Sequence, residues 1–296
     1  MFRKWMGRAC LAVLTLVLAA VVAGVGVAWL QGRHTPQGRP EYVALGSSFA
    51  AGAGLGALER GSPLLCARSV NGYPQQLARM RGLAIIDMSC GGAVTRHLLH
   101  GGQVFQGPQI RVIDAHTRLV TLTAGGNDIG YVGDLSLLAA RDSDTVFGWL
   151  VRTLWKGPKA PGERDYAGLE AQLTETLRAV RAQAPEAVVV VATYPTLLPS
   201  AGTCARIGLT QAEADQMRQV GDQLAATTRA AAKTGGAILV DMHVLGAGHD
   251  PCSASPWTNG WIEVKGGAFH PTLAGAEATA QAISAALNAA QASGAR

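Results

Sequence analysis

The chain has 296 residues, of which 48% are hydrophobic and 15% are charged, and its net charge at pH 7 is +5. This length and apolar content suit one or two folded domains and exclude a wholly disordered chain. Outside residues 1–30, whose charged side chains are Arg3, Lys4 and Arg8, the net charge is only +2. No cluster of Lys and Arg with interleaved aromatic residues is present, so we expect no nucleic-acid binding.

An uncharged apolar run, residues 9–30, follows a basic cytoplasmic n-region, residues 1–8. As a helix this run would be about 33 Å long, enough to cross the hydrocarbon core of a bilayer. It is either a signal peptide cleaved near Ala23 or Ala28 or an uncleaved transmembrane signal anchor. Its length favours the anchor, because signal h-regions usually have ~7–15 residues. In both cases we expect an extracytoplasmic domain, anchored to the membrane or secreted.

Residues 31–40 are predicted to be a linker, residues 41–290 one folded domain, and residues 291–296 a tail. Short apolar runs predict five buried strands in the domain, at residues 42–45, 83–88, 119–124, 187–193 and 237–240. Helical patterns are found at residues 74–81, 166–183, 211–233 and 272–290. This alternation predicts a three-layer α/β/α fold with a five-stranded parallel sheet.

One segment, residues 133–164, does not fit the simple alternation of strands and helices. It contains Phe147, Trp149 and Trp155, and it closely follows an asparagine motif described below. Two interpretations stay open. The segment is either a surface insertion with its own small apolar cluster or a flap that lines the substrate site.

Five cysteines are present, and Cys10 lies in the apolar N-terminal run. The other four form an even set in a domain expected to be exported, which indicates two disulfides. Of the three pairings that four cysteines allow, we expect the local one, which closes a separate loop in each half of the domain: Cys66–Cys90 and Cys204–Cys252. A zinc site is the alternative, but the chain has no Cys-x-x-Cys pair, so we expect no metal.

Polar and glycine-rich motifs follow three of the predicted strands and precede the last helix. Ser48 comes after the first strand, Gly92 after the second, Asn127 after the third, and His270 before the final helix. Active sites in parallel α/β sheets lie at the carboxyl ends of the strands, so these four residues are expected to meet at one edge. They would supply a nucleophile, a base and donors for an oxyanion.

These motifs resemble those of the SGNH (GDSL-type) hydrolase family, in particular its secreted actinobacterial lipase/esterase branch. The resemblance covers about residues 41–290 and implies a flavodoxin-like fold. Four blocks carry it: Gly46-Ser47-Ser48, Cys90-Gly91-Gly92-Ala93, Gly125-Gly126-Asn127-Asp128 and Gly267-Ala268-Phe269-His270-Pro271.

The resemblance implies that Ser48 is the nucleophile and His270 the base, with an oxyanion hole formed by Ser48, Gly92 and Asn127. It implies a small-molecule, lipid or glycan ester as substrate, no cofactor and no metal, and we expect a monomer. The alternatives are an envelope glycan or lipid deacetylase of the same fold, a catalytically inactive ligand-binding module, and a structural envelope protein with an incidental serine.

Two positions depart from the family pattern. Ser47 stands where the family usually has Asp, and Gly267 stands where it has the acid that orients the histidine. We expect a backbone carbonyl near residues 261–267 to orient His270, with Glu263 and Asp241 as weaker candidates. Asp128 is expected to brace the asparagine loop by hydrogen bonds.

Overall fold

A computed structural model describes residues 2–261 and 267–294, with side chains from residue 13 onward. Its first element is an apolar helix, α1 (Phe2–Arg33). Within α1, the range Val13–Arg33 contains an 18-residue stretch with a mean hydropathy of 2.5, and none of that stretch is buried. By length and composition this helix could cross a membrane, and it is also compatible with a signal sequence. The helix continues past residue 30, into the predicted linker, and ends at Arg33, shortly before Pro36, which cannot lie inside a regular helix.

The predicted sheet is confirmed: five parallel strands lie in the order β2-β1-β3-β4-β5. Their bounds are β1 (Tyr42–Gly46), β2 (Ile85–Asp87), β3 (Leu119–Thr123), β4 (Val188–Ala192) and β5 (Ile238–Val240). Since β1 pairs with β2 on one side and β3 on the other, the chain reverses direction across the sheet at β1. Such a reversal opens a crevice for ligands at the carboxyl ends of the strands.

The helices cover both faces of this sheet, as predicted. After α1 they are α2 (Ser48–Ala51), α3 (Tyr73–Arg81), α4 (Thr95–His100), α5 (Tyr131–Arg141), α6 (Val146–Leu154), α7 (Tyr166–Gln183), α8 (Gln211–Thr234), α9 (Met242–Leu245) and α10 (Leu273–Ala292). The segment 133–164 therefore contains most of α5 and all of α6. The last helix extends two residues into the predicted tail.

Alternating side chains of β1 separate the core into two layers. Val43 and Leu45 are fully buried in a cluster with apolar residues of α5, α7 and α8. Tyr42 and Ala44 are fully buried in a second cluster with α3 and α10. A strand buried on both faces explains why the sequence reads as a continuous apolar run. Neither cluster contains a described residue of α1.

Two disulfides are present in the structure. Cys66 is bonded to Cys90, and Cys204 to Cys252. The first joins a short 3₁₀ turn, Leu64–Cys66, to the loop that follows β2. The second joins the chain after β4 to the long loop that leads to α10. Both disulfides therefore tether segments at the edge of the sheet where the candidate site lies.

Candidate active site

Ser48 lies directly beyond the carboxyl end of β1, at the first residue of α2, and is only 7% exposed. The preceding turn requires glycine at position 46, where φ is +140° and a Cβ would come within 2.2 Å of the Thr123 carbonyl oxygen. Ser47 donates its N–H to the same carbonyl at 3.0 Å. The serine turn is thus packed closely against the end of β3. Ser48 itself belongs to the first turn of α2, which orients it.

Two side chains that the sequence did not reveal hold this turn. Gln109 binds both backbone groups of Gly46, accepting from its N–H at 2.8 Å and donating to its carbonyl at 3.0 Å. Tyr194 places its hydroxyl 2.8 Å from Ser47 Oγ and also accepts from Gly126 N at 3.2 Å. Tyr194 follows β4 closely, so its place at a strand end is a signal from which the sequence could have predicted it. The sequence around Gln109 carries no comparable signal.

Gly92 lies in the loop after β2, with a φ of +76° that favours glycine. The preceding residue, Gly91, is held on both sides. Its N–H donates at 2.9 Å to the carbonyl of Cys66, the disulfide partner of Cys90, and its carbonyl accepts from the Gln103 side chain at 2.7 Å. Within the described part of the chain, the backbone N–H groups of Ser48 and Gly92 have no protein acceptor. Free N–H groups at a serine and a neighbouring loop are the donors that an oxyanion hole needs.

Asn127 follows β3 and donates one side-chain N–H to the Ala93 carbonyl at 2.9 Å. Its amide nitrogen carries a second hydrogen, which this contact leaves available. The neighbouring Asp128 accepts from the backbone and hydroxyl of Thr95, at 2.9 and 2.5 Å. Burial raises the pKa of Asp128. The contacts of Asp128 tie the asparagine loop to the start of α4, which is the bracing role expected for it.

His270 lies in the loop before α10, and its Nδ1 is 2.8 Å from the Ala268 carbonyl oxygen. Because a carbonyl can only accept, Nδ1 carries the proton and Nε2 is left with a free lone pair. Burial lowers the pKa of His270, and the bond to Ala268 opposes this only in part. The imidazole is therefore neutral at pH 7, the state that a general base requires.

A strained residue makes this hydrogen bond possible. Phe269, between Ala268 and His270, has a φ of +55° and is fully buried. A left-handed conformation is costly for such a side chain, and strain of this kind concentrates at functional sites. Here it turns the Ala268 carbonyl back toward the imidazole of His270.

Gly267, at the acid position of the family pattern, lies beside the imidazole and supplies no carboxylate. A Cβ on Gly267 would be 3.6 Å from His270 Nδ1. The acceptor is thus a backbone carbonyl, as expected, but it belongs to Ala268, one residue beyond the predicted range 261–267. Asp241 instead pairs with Arg229 at 2.6 Å, and Glu263 lies outside the described residues.

Phe49, the residue after Ser48, packs against His270. The Phe49 ring stacks on the imidazole with a centroid distance of 5.6 Å and packs edge-on against Tyr194 at 4.6 Å. Among the described residues no hydrogen bond joins Ser48 to His270. Catalytic hydrogen bonds are often long in unliganded proteins and shorten when substrate binds.

A cleft of about 430 Å³ opens beside the asparagine loop and is lined by Asn127, Asp128, Trp155 and Arg164. Trp155, at the end of α6, is partly buried against the core. The rest of α6 turns a large apolar face to solvent, including Phe147 and Trp149. The segment predicted to be either an insertion or a flap thus contributes Trp155 to the wall of this cleft.

An α/β sheet that presents a serine and a histidine at the carboxyl ends of its strands defines a broad class, the serine hydrolases. Within that class, residues 44–278 match the GDSL-like lipase/acylhydrolase family model, so the chain belongs to this family. The resemblance drawn from the four sequence blocks is thereby confirmed.

Relatives from Streptomyces support this assignment. The chain is 33% identical over 236 residues to Lipase 2 of Streptomyces coelicolor, covering 75% of this chain and 76% of the relative. The crystal structure of an extracellular lipase from Streptomyces rimosus superposes with a TM-score of 0.66 at 28% identity, covering 83% and 98% of the two chains. Phospholipase A1 from Streptomyces albidoflavus NA297 superposes with a TM-score of 0.65 at 29% identity, covering 84% and 98%.

Proposed function

We propose that the protein is an exported carboxylic-ester hydrolase that forms an acyl-enzyme on Ser48 with His270 as its base. The observation that carries this proposal is the hydrogen bond between His270 Nδ1 and the Ala268 carbonyl. It selects the tautomer whose Nε2 can accept a proton, although Gly267 provides no acid. A serine, a base in the correct tautomer and free amide donors are the groups that acyl transfer requires.

In the first half of the proposed reaction, Nε2 of His270 takes the proton of Ser48 Oγ while that oxygen attacks the ester carbonyl. The carbonyl oxygen becomes an oxyanion and accepts from the N–H groups of Ser48 and Gly92 and from the free amide hydrogen of Asn127. One such donor typically contributes about 3–4 kcal/mol to lowering the barrier. The imidazolium then protonates the leaving alcohol as the tetrahedral intermediate collapses to the acyl-enzyme.

In the second half, water replaces the alcohol. Neutral His270 takes a proton from this water as it attacks the acyl carbonyl, and the same three donors hold the new oxyanion. Collapse returns the proton to Ser48 Oγ and releases the carboxylic acid. The proposed cycle uses these residues and water.

Lipid esters are the substrate class that we favour. The relatives named above are lipases and a phospholipase A1 by their descriptions, and one is extracellular. The apolar helix α1 is compatible with an export signal, and its length favours retention as an anchor. We therefore place the enzyme outside the cytoplasm, tethered by α1.

The test uses the full chain, purified with its disulfides intact in detergent micelles, together with Ser48→Ala and the neighbouring control Ser47→Ala. Hydrolysis of p-nitrophenyl esters from acetyl to long acyl chains is followed by absorbance. Ser48→Ala should lose about 10⁴-fold or more in kcat, because the nucleophile is gone. Ser47→Ala should lose about tenfold at most, since it removes only one hydrogen bond, to Tyr194.

The acyl preference of the parent separates the remaining interpretations. Faster turnover of long chains supports a lipase, whereas a strict acetyl preference supports a deacetylase of the same fold. Equal background in the parent and in Ser48→Ala would refute the catalytic proposal and favour the ligand-binding module.

A further inference from the structure

Three large apolar side chains are exposed close to the end of α1. Leu64, Leu65 and Phe105 are 61%, 62% and 50% exposed. We call these three residues the apolar rim. The first two belong to the 3₁₀ turn Leu64–Cys66, and the third to a second short 3₁₀ turn, Gln103–Phe105. Exposed apolar patches of this kind mark surfaces that contact a partner or a membrane.

The turn that presents Phe105 is strained. Val104 and Phe105 both have positive φ, 49° and 60°, where non-glycine residues are uncommon and a β-branched residue is an outlier. The strained turn packs Val104 against the core and leaves half of the Phe105 side chain exposed to solvent. Backbone strain of this kind concentrates at functional sites.

The rim flanks the point where α1 leaves the domain. Leu64 donates its N–H to the Gln31 side chain at 3.0 Å. Gly32 approaches the other turn so closely that a Cβ on it would lie 2.0 Å from the Val104 carbonyl oxygen and 3.1 Å from Phe105 Cβ. Both turns of the rim therefore contact the last turn of α1.

That last turn carries the features of a membrane–water interface. Arg33 lies over the Trp29 ring, with 4.9 Å between the guanidinium carbon and the ring centroid. Trp and Arg at the end of an apolar span are typical anchors at the headgroup level. Gly32 is about 4.5 Å from Trp29 along the helix axis, given a rise of 1.5 Å per residue. If α1 spans the bilayer, the rim therefore lies at the same level as the headgroups.

The rim is also directly connected to the proposed oxyanion hole. Cys66, next to Leu65, accepts from Gly91 N, and Gln103, two residues before Phe105, donates to the Gly91 carbonyl. The Gln103 amide is the nearest group to a Cβ built on Gly92, at 3.6 Å. If the apolar rim contacts the bilayer, the loop that contains Gly92 therefore lies close to the lipid.

From these contacts we infer that the apolar rim docks into the bilayer from which α1 emerges, so that the site takes its ester from that membrane. The occupant of the rim is the lipid surface, and its identification rests on continuity with α1. The docking itself does not depend on catalysis, whereas the supply of ester substrate rests on the proposed function.

Docking is tested on the full chain in nanodiscs of phosphatidylcholine and phosphatidylglycerol, in a Cys10→Ser background. A nitroxide label is attached at Phe105→Cys and, as a matched control, at Lys233→Cys. Lys233 is exposed in the last turn of α8, just before β5, at the edge of the sheet opposite the site. Collisions with oxygen, which concentrates in lipid, and with a nickel chelate, which stays in water, are compared by power saturation.

The label at Phe105→Cys should collide with oxygen severalfold more, relative to the nickel chelate, than the label at Lys233→Cys. Equal nickel accessibility at the two positions would overturn the docking inference. This readout does not involve turnover, so it decides docking even if the protein proves to hydrolyse no ester.

Substrate supply is tested with the combined variant Leu64→Ser, Leu65→Ser and Phe105→Ser in the same nanodiscs. Hydrolysis of a long-chain ester dissolved in the bilayer should fall about tenfold or more, because the apolar contacts that seat the domain are lost. Hydrolysis of a water-soluble acetyl ester should stay at the parent rate and serves as the control for folding. Parent-like rates on the bilayer ester would overturn the inference that docking supplies the substrate.

Discussion

The serine side and the histidine side of the site are held in different ways. Ser48 sits at the end of a central strand, and side chains from separate parts of the chain, Gln109 and Tyr194 among them, bind the turn before it. His270 lies on a long loop and is held by backbone hydrogen bonds and by stacking of its ring on Phe49. The backbone N–H of Asn259 donates to the His270 carbonyl at 2.8 Å. One carbonyl, that of Ala268, orients the imidazole ring.

This difference indicates which catalytic groups need a tightly fixed geometry. A nucleophile and its oxyanion donors must match the geometry of one transition state, so they belong on rigid elements. A base needs its correct tautomer and a reachable partner, and one carbonyl is enough for the tautomer. The missing acid at Gly267 is therefore compatible with function, whereas loosening of the serine side should be costly. Three substitutions test this contrast.

The largest effect is expected for an amide on the serine side. Asn127→Ala removes one of the three proposed oxyanion donors, so kcat should fall about 10²–10³-fold with little change in KM. Asn259→Ala is the matched control on the histidine side, where the side-chain amide, among the described residues, donates to the Pro271 carbonyl at 3.4 Å. It should lose about tenfold at most. Steady-state kinetics with a soluble ester measure both, and equal losses would contradict the contrast.

A smaller effect is expected for the clamp on the serine turn. Gln109→Ala leaves the buried Gly46 N–H without its acceptor, which costs about 1–3 kcal/mol in the free energy of unfolding. The looser turn should also lower kcat. Gln76→Ala is the control, because Gln76 is partly exposed and its side chain, among the described residues, makes one hydrogen bond, to the Asn71 carbonyl at 2.8 Å. Urea unfolding compares the two, and a Gln109→Ala protein as stable and active as the parent would show that the clamp is dispensable.

The smallest effect is expected on the pH profile. Burial lowers the pKa of His270 below its usual value of about 6.5, and the base must be neutral, so activity should rise with pH and reach half its maximum below pH 6.5. Gly267→Asp would place a carboxylate beside Nδ1 and raise the pKa of His270. The acid limb, which is the low-pH side of the activity profile, should then shift upward by about one pH unit.

The profile of kcat/KM for a soluble ester measures this shift. Gly267→Asn, which adds an uncharged side chain of similar size, should leave the limb near its position in the parent. Asn and Asp both tolerate the positive φ at this position, so strain should affect the two variants alike. An acid limb that moves down in Gly267→Asp would contradict the assignment of His270 as the base.

Much of the fold could be predicted from local patterns. The apolar runs located all five strands, and the helix at residues 166–183 was predicted to the residue. The edge strand β2 is shorter than predicted, Ile85–Asp87 instead of 83–88, because it pairs with β1 alone. The helix α6 could not be placed, because its apolar face is mostly exposed and its pattern does not say what covers it.

The α/β class, the family and the residues of the candidate site could be predicted from the sequence, because strand periodicity and short motifs are local properties of the chain. How those residues are held follows from tertiary packing: the Gln109 clamp, the Tyr194 contact and the choice of the Ala268 carbonyl. These depend on groups up to 147 positions apart and on one strained φ at Phe269, neither of which a local pattern encodes. The position of the apolar rim against α1 is likewise a product of packing, since residues 31, 64 and 105 meet only in the folded chain.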